Sequence, residues 1–160
     1  MSISTPDLCD EHPDKVRVLT PMFRNFGRRS SFGGRIRTVK CYEDNSRVKE
    51  VLATPGQGHV LVVDGGGSLC CALLGDLIAS SAVQHEWSGI IIYGAVRDVD
   101  ALAELDIGIQ ALAAMPLKSV RKGVGDVDVL LHIGGQIIQP GEYIYADNNG
   151  VIVSSTSLLV

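Results

Sequence analysis

Apolar and polar side chains alternate along residues 35–43, and this pattern predicts a β-strand with one buried face. Residues 59–64 form a nearly continuous β-branched apolar run instead, which is typical of a strand covered on both faces. Between the two runs, the polar residues 44–46 predict the start of a short helix that ends before the Pro-Gly pair at 55–56. Three glycines at 65–67 then predict a tight turn, because they match neither a GxGxxG nor a GxxxxGK[ST] phosphate loop.

Strands and helices continue to alternate in the middle of the chain. Residues 75–87 carry apolar side chains at helical spacing, which predicts a helix whose amino end lies near Gly75-Asp76. Residues 89–93 predict a buried strand that Gly94 closes. Further strands are predicted near 107–115, 128–133, 136–139, 142–146 and 150–154. The pattern predicts an α/β chain, with strand–helix–strand units first and β-structure afterwards, folded as one domain over residues 1–160.

The composition narrows the classes of function. A chain of 160 residues with 46% hydrophobic side chains is long enough to bury the core of one domain. A net charge of −4 argues against direct nucleic-acid binding, which needs a basic surface to displace counterions. Residues 1–15 contain four acids and no apolar run, and no later stretch is long enough to cross a membrane. We therefore expect a cytoplasmic protein without a membrane partner.

The cysteines and histidines predict no local metal site or disulfide. Cys9, Cys41, Cys70 and Cys71 lack CxxC spacing, which favours reduced structural thiols. The four histidines show neither HxH nor HExxH spacing. The apolar carboxy end, residues 158–160, is expected to dock on its own domain or on a neighbouring subunit.

One spacing points to chemistry: Asp76 is separated by the twenty residues 77–96 from the adjacent pair Arg97-Asp98. The strand predicted at 89–93 ends shortly before that pair, and the predicted helix begins at Asp76. In a strand–helix–strand unit, the carboxyl end of the second strand lies near the amino end of the helix. The three residues are therefore predicted to share one crevice.

Each residue type in this crevice suits an α-keto acid. The free N–H groups and partial positive charge of a helix amino end hold a carboxylate, which here concerns Gly75, Asp76, Leu77 and Ile78. Arg97 offers a planar, permanently charged fork, and Asp98 offers a hard oxygen ligand to Mg²⁺ or Mn²⁺. Two plainer interpretations stay open on these residues alone: Asp76 as a helix cap, and Arg97 with Asp98 as a solvated surface ion pair.

Longer strings carry a resemblance that spans nearly the whole chain. The chain resembles the family of the regulator of ribonuclease E activity A in Asn25-Phe26-Gly27, Ser31-Phe32-Gly33-Gly34, Val62-Val63-Asp64-Gly65-Gly66-Gly67-Ser68, Tyr93-Gly94-Ala95-Val96-Arg97, Glu104-Leu105-Asp106-Ile107-Gly108-Ile109-Gln110-Ala111 and Tyr145-Ala146-Asp147-Asn148. Within that family, Gly-Asp followed after twenty residues by Arg-Asp resembles the signature of class II 4-hydroxy-4-methyl-2-oxoglutarate aldolases.

The resemblance implies roles for the residues that fill the signature. Asp98 would ligate a divalent metal ion, Arg97 would bind substrate, and residues 75–78 would hold the pyruvyl part. Asp76 would reach the metal through water or position a proton-carrying water. The ribonuclease regulators proper often lack one or both acids, whereas this chain has both. The longer aldolases carry a carboxy-terminal extension with another acid at a subunit boundary, whereas here no acid follows Asp147.

The resemblance also implies a fold, an assembly and an activity. The fold would be a swivelling β/β/α-type domain that assembles as a ring-shaped homotrimer. The activity would be metal-dependent cleavage of 4-hydroxy-4-methyl-2-oxoglutarate to two pyruvates, with oxaloacetate decarboxylation through the same pyruvate enolate. The alternative is a protein that binds and inhibits a ribonuclease E-type endonuclease and catalyses nothing.

Overall fold

A computed structural model of the protein describes residues 2–159, and one sheet of ten strands dominates it. The helices are α1 (Thr5–Glu11), α2 (Ser46–Leu52), α3 (Asp76–Gln84) and α4 (Val99–Leu102). The strands are β1 (Arg17–Val18), β2 (Arg24–Asn25), β3 (Phe32–Lys40), β4 (His59–Asp64), β5 (Ala72–Leu74), β6 (Gly89–Val96), β7 (Gly108–Ala114), β8 (Asp126–Val127), β9 (Leu131–Ile133), β10 (Gln136–Ile138), β11 (Tyr143–Asp147) and β12 (Gly150–Ser154).

The centre of the sheet is parallel and its margins are antiparallel. Strands β3, β4, β6 and β7 lie side by side in parallel, joined by crossovers that contain α2, α3 and α4. Strands β11, β12 and β1 extend the sheet antiparallel beyond β3, and β2 pairs antiparallel with β7. This arrangement confirms the predicted α/β class and the change from strand–helix–strand units to β-structure.

Two apolar layers cover the two faces of the sheet. Along β4, Leu61 and Val63 pack into a core that includes the buried faces of α2 and α3. The alternate residues Val60 and Val62 pack on the opposite face, against residues of β9, β10 and β11. Strands β9 and β10 form a separate two-stranded ribbon, so this ribbon contributes to the layer on one face of the sheet and the helices lie on the other.

Several predicted boundaries were wrong by a few residues. Strand β6 continues through Gly94 to Val96, because this glycine has ordinary backbone angles and only a local register shift marks its position. The predicted helix 75–87 ends at Gln84. The strand predicted at 35–43 begins earlier, at Phe32, and ends at Lys40, and the strand predicted at 128–133 is confined to 131–133.

The sequence pattern missed α1, a short helix that is tied to the far end of the chain. The Ser4 hydroxyl accepts the Asp7 N–H at 3.3 Å and caps the helix. Both the N–H and the hydroxyl of Thr5 donate to the buried carboxylate of Asp147, each at 2.7 Å. These bonds lower the pKa of Asp147 although its burial opposes ionisation. The helix therefore covers one end of β11. The short elements β1, β2, β5, β8 and α4 were also not predicted.

Within the described residues, the carboxy end docks on its own domain, as expected. Leu158 is buried against Leu8, Tyr145 and Ile152, whereas Val160 lies outside the described residues.

The four cysteines are free, and burial raises the pKa of the Cys41 thiol to about 12. Cys70 is exposed, so the expected structural role does not apply to it. No helix in residues 2–159 has the length and apolar character needed to span a membrane.

We predict that Gly108→Ala destabilises the sheet. Gly89 and Gly108 are paired across β6 and β7, and the Phe32 ring covers both. A Cβ at Gly108 would lie 2.0 Å from this ring. Overpacking of this kind lowers the free energy of unfolding by about 1–3 kcal/mol, which urea denaturation measures. Gly94→Ala is the control, since its nearest neighbour would be 3.2 Å away. Equal loss in both variants would contradict the prediction.

Candidate functional site

A cavity of about 610 Å³ opens between the amino end of α3 and the carboxyl end of β6. The six residues singled out from the sequence all line it: Gly75, Asp76, Leu77, Ile78, Arg97 and Asp98. The short strand β5 leads into α3 and pairs parallel with β6, which brings the two chain segments together. The structure thus joins these residues in one crevice, while their chemical roles stay predictions.

Gly75 permits the close approach of the two segments. The Arg97 N–H donates to the Leu74 carbonyl at 2.9 Å, which fixes the chain beyond β6 beside the start of α3. A Cβ at Gly75 would lie 2.6 Å from Asp98 Oδ2 and 3.5 Å from Arg97 Cγ. Any side chain at this position would therefore displace the Asp98 carboxylate.

Asp98 adopts a backbone conformation that turns its carboxylate toward α3. Its φ of 57° and ψ of 41° lie in the left-handed region, which aspartate tolerates better than most residues. Oδ2 accepts the Asp76 N–H at 3.0 Å. Within residues 2–159, no protein donor reaches Oδ1. One carboxylate oxygen is thus fixed by the helix, and the other is free for a ligand.

The amino end of α3 offers further donors. Gly75 occupies the cap position and supplies no side-chain cap, so the alternative of Asp76 as the capping residue does not hold. The N–H groups of Leu77 and Ile78 belong to the first helical turn, where no intrahelical acceptor exists. Among the described residues no side chain or loop carbonyl accepts from them either. Two N–H groups and the positive end of the helix dipole are therefore available to bind an anion.

Arg97 is not held in a surface ion pair. In the described part of the chain, no carboxylate oxygen lies within 4.0 Å of its guanidinium nitrogens. The side chain is partly exposed in the cavity wall, beside Asp98. The guanidinium is therefore available to a ligand.

A second wall of the cavity was missed by the sequence analysis. It consists of residues 118–121, Lys118-Ser119-Val120-Arg121, which we call the cationic wall. Arg121 Nε donates to Asn45 Oδ1 at 3.0 Å, and Asn45 Nδ2 donates to the Leu73 carbonyl at 3.1 Å. The sequence analysis assigned no strand or helix to residues 116–125, which contain Pro116 and the turn-forming glycines Gly123 and Gly125. The signal that could have found the wall is the concentration of positive charge between Pro116 and Gly123.

The buried carboxylate of Asp44 holds the chain that follows the cationic wall. Oδ2 accepts the N–H groups of Lys122 at 2.7 Å and Val124 at 3.2 Å. Oδ1 accepts the N–H and hydroxyl of Ser46 at 2.9 and 2.6 Å. Burial opposes ionisation of Asp44, but these hydrogen bonds outweigh it and hold the pKa of the carboxyl well below its usual range. One ionised side chain therefore attaches the wall to the start of α2.

The charges and donors of the cavity suit an anion and a hard cation together. Three cationic side chains, Arg97, Lys118 and Arg121, face two carboxylates, Asp76 and Asp98, which leaves one excess positive charge. Residues 2–159 contain no cluster of three or more His, Cys, Asp or Glu side chains that would cage a metal. Mg²⁺ often binds through only one or two carboxylates and completes its shell with water and substrate oxygens. Asp98, with Asp76 in the same cavity, fits that mode.

Comparison with known proteins gives consistent sequence matches. The model of the RraA-like family, described as Aldolase/RraA, matches residues 5–153. A protein of Pseudomonas putida (strain W619) named "Putative 4-hydroxy-4-methyl-2-oxoglutarate aldolase" is 60% identical over 154 residues, which cover 96% of this chain and 94% of that protein.

Two solved structures have nearly the same fold. The RNA-processing inhibitor RraA from Thermus thermophilis superposes with a TM-score of 0.93 at 44% identity, over 97% of this chain and 94% of that chain. A structure named S-adenosylmethionine: 2-dimethylmenaquinone methyltransferase, from Geobacillus kaustophilus HTA426, gives a TM-score of 0.95 at 42% identity, over 98% and 97% of the two chains. The fold is thus shared by proteins whose names denote different functions.

We predict that Asp44 makes the protein sensitive to acid. Because its folded-state pKa is lowered, its ionised form contributes stability that is fully present above the unfolded pKa of about 4. This contribution is lost as the pH falls through the lower folded-state pKa. The free energy of unfolding in urea should therefore decline less steeply below about pH 4 in Asp44→Asn than in the unmodified protein.

The exposed Asp126→Asn variant is the control for this experiment, and its pH dependence should follow the unmodified protein. Amide hydrogen exchange adds a local readout, because the Lys122 and Val124 N–H groups should exchange faster in Asp44→Asn. Unchanged exchange at both amides would refute the attachment of the wall through Asp44.

Proposed function

We propose that this chain, which belongs to the RraA-like (Aldolase/RraA) family, is a carbon–carbon lyase. Its substrate would be 4-hydroxy-4-methyl-2-oxoglutarate, cleaved to two pyruvates, and it would also decarboxylate oxaloacetate. The observation that carries the proposal is the single cavity that unites a helix amino end, Arg97 and two carboxylates. The 60% identical relative bears an aldolase name, which supports the same reaction.

The proposed binding mode places the pyruvyl part of the substrate against α3. Its carboxylate accepts the N–H groups of Leu77 and Ile78, which lack protein acceptors among the described residues. Its keto oxygen faces Arg97, whose guanidinium is free of carboxylate partners there. Gly75 keeps this corner open for the ligand, because it has no side chain. The substrate is thereby oriented by backbone donors and one fixed cation.

Both reactions break the bond between C3 and C4 of the keto acid, where C2 is the keto carbon and C3 is the methylene. The electron pair of this bond moves into the keto group. Negative charge then develops on the keto oxygen of the pyruvate enolate, and Arg97 stabilises this charge. A divalent ion held by Asp98, and through water by Asp76, would supply Lewis-acid polarisation of the keto acid. Asp76 would also position the water that carries a proton, since its carboxylate lies in the same cavity. Protonation of the enolate carbon yields one pyruvate. The other fragment leaves as CO2 from oxaloacetate or, when the C4 hydroxyl of the aldol substrate loses its proton and becomes a keto group, as the second pyruvate.

The lining of the cavity favours an anionic keto acid over a methyl donor of the S-adenosylmethionine type. Such a donor carries a cationic sulfonium and a large adenine ring. The cavity has an excess positive charge, and no aromatic side chain of the described residues lines it. Its polar groups instead suit carboxylate and keto oxygens.

We also propose the ring-shaped homotrimer that the resemblance implies, with the cavity near the subunit boundary. Large apolar side chains are exposed around the cavity: Leu77 is 83% exposed, Leu117 60% and Val120 67%. Exposed apolar groups at this density are typical of a surface that another protein covers. A neighbouring subunit is the occupant that the family resemblance implies.

A second candidate function is inhibition of a ribonuclease E-type endonuclease through protein binding. The observation that favours it is the superposition on the RNA-processing inhibitor RraA from Thermus thermophilis at a TM-score of 0.93. This function would use the outer surface and not the cavity, because no catalysis is needed. The net charge of −4 makes the nuclease, and not its RNA, the expected partner.

We predict that pyruvate release from oxaloacetate and from 4-hydroxy-4-methyl-2-oxoglutarate requires a divalent metal, Asp98 and Arg97. A coupled assay for pyruvate, corrected for catalysis by free Mg²⁺, should show loss of turnover with chelator and in Asp98→Asn. Arg97→Gln should lower kcat by about 10²–10³-fold, because it removes a stabiliser of the developing charge.

Asp100→Asn is the matched control for Asp98→Asn, since Asp100 is an exposed carboxylate two positions along the chain and does not line the cavity. It should retain full activity. Turnover without metal, or full activity in Asp98→Asn, would overturn the lyase proposal.

The inhibitor function predicts a different response. Added protein should slow RNA cleavage by the endonuclease, and Asp98→Asn should inhibit equally well, because the cavity is not used. Binding of the two proteins by calorimetry at micromolar concentration checks the contact directly. Absence of such binding would exclude this second function.

A further inference from the structure

We propose that Cys70 and Cys71 form a reversible thiol-oxidation site, at which a hydroperoxide converts the two neighbouring thiols into a disulfide. They line a second cavity of about 510 Å³, which adjoins the candidate active site because Lys118 and Val120 line both cavities. The proposed lyase uses neither thiol. The inference therefore goes beyond the proposed function and does not depend on it.

The local backbone allows both thiols to face one cavity. Cys70 and Cys71 lie outside the helices and strands, at a bend of the chain directly before β5. In a strand, consecutive side chains would point to opposite faces, whereas a bend can turn both to the same side. Cys70 is exposed, Cys71 is only 7% exposed, and both line the cavity. A small oxidant can therefore reach Cys70 first, and a second thiol follows on the next residue.

The charged groups of this cavity suit the reduction of a peroxide. Lys118 and Lys122 supply two ammonium groups, which stabilise the anion that leaves when the O–O bond breaks. The two carboxylates of the cavity already have partners: Glu43 accepts the Ser68 hydroxyl at 2.7 Å, and Asp44 accepts backbone N–H groups. The cations are therefore the groups that a leaving anion meets.

Cys71 is suited to the second step, in which it attacks the oxidised Cys70. Burial raises the pKa of the Cys71 thiol, and the negative charges of Glu43 and Cys70 raise it further. The Cys71 thiol therefore stays protonated and reacts poorly with peroxide. Once Cys70 is a sulfenic acid, the adjacent thiol attacks it in an intramolecular reaction, which proximity favours.

The reaction balances over these two steps. Cys70 Sγ attacks one oxygen of the hydroperoxide, the O–O bond breaks, and the products are the sulfenic acid of Cys70 and an alcohol, or water if the oxidant is H₂O₂. Cys71 Sγ then attacks Cys70 Sγ while its proton passes to the departing hydroxyl, which leaves as water. The two thiols lose two hydrogens and two electrons, and the peroxide takes them up.

The disulfide between adjacent residues is strained, which makes it easy to reduce. Consecutive Cα atoms are about 3.8 Å apart, whereas ordinary disulfides join Cα atoms about 4.4–6.8 Å apart. Strained and exposed disulfides have higher reduction potentials and are the labile ones. Small thiols therefore restore Cys70 and Cys71 to the free state in which the structure shows them.

Oxidation acts on the cationic wall through β5. The N–H of Ala72, the residue after Cys71, donates to the Leu117 carbonyl at 2.7 Å, directly before the wall. On the other side of the pair, the Cys70 N–H donates to Ser68 Oγ at 3.2 Å. Closing a small ring changes the backbone angles between the two cysteines and weakens these flanking hydrogen bonds. The disulfide thus loosens one attachment of the wall.

Peptide mapping of the full, assembled protein tests the inference. The protein is treated with H₂O₂, free thiols are alkylated, and trypsin is added without reductant. Residues 50–97 then form one peptide that holds Cys70 and Cys71, whereas Cys41 lies on the peptide 41–47. We expect peptide 50–97 to lose two hydrogens and to carry no alkyl group. Reduced glutathione at millimolar concentration should reverse the change.

Two variants separate the roles of the thiols. Cys71→Ser should stop at the sulfenic acid, which a 1,3-diketone reagent labels on Cys70. Cys70→Ser should give no oxidation product on peptide 50–97. Cys9→Ser is the control, because Cys9 is partly buried in α1 and does not line the cavity, so the disulfide should form as in the unmodified protein.

Amide hydrogen exchange measures the effect on the wall. The Ala72 N–H should exchange about 3–10-fold faster in the oxidised protein, because its hydrogen bond is weakened. Exchange at Ala72 should stay unchanged in Cys71→Ser after the same treatment, since no ring can form.

A cross-link between peptides 41–47 and 50–97 would overturn the inference, and so would oxidation of Cys70 that never proceeds to a disulfide. Absence of any product at millimolar H₂O₂, or unchanged exchange at Ala72 in the oxidised protein, would also count against it decisively. Pyruvate release enters none of these measurements. Failure of the proposed lyase would therefore leave the oxidation site intact, and failure of the oxidation site would leave the lyase intact.

Discussion

The hydrogen bond from the Asp76 N–H to Asp98 Oδ2 is the constraint on which the candidate site depends. It joins Asp76, the first residue of α3, to the carboxylate of Asp98, which follows β6. It exists only because position 75 is a glycine and because Asp98 adopts left-handed backbone angles. The bond fixes one carboxylate oxygen and leaves the other available, so the same side chain orients the helix end and serves a ligand.

The positive electrostatic potential in the cavity has two sources. On the α3 side, the potential comes from backbone dipoles that are fixed by the helix and need no long side chain. On the side of the cationic wall, it comes from flexible cations whose position depends on Asn45 and Asp44. The first is built into the fold, whereas the second depends on a loop. Specificity among related ligands can therefore change through the loop while the reacting end of the substrate keeps its environment.

The sequence predicted the parts of the structure that depend on local pattern. The apolar run at 59–64 and the helix after Gly75 follow from side-chain periodicity, and the meeting of Asp76 with Asp98 follows from the geometry of parallel strands. The cationic wall could not be predicted in this way. Its position depends on hydrogen bonds between residues far apart in sequence, such as Asp44 with Lys122, and no periodicity encodes them. Strand β6 continued past Gly94 for a similar reason, since pairing with β7 overrode local propensity.

The bond between Thr5 and Asp147 has a consequence for the order in which the molecule is made. These residues are 142 positions apart, so the first helix emerges from the ribosome long before its partner strand exists. Strand β3 likewise lies between β4, its successor, and β11, which is synthesised much later. The amino-terminal segment therefore stays unpaired during translation. The antiparallel margin of the sheet, formed by β11, β12 and β1, can form only after β11 and β12 have been synthesised. Folding of this margin is a late event, set by topology and not by the stability of α1.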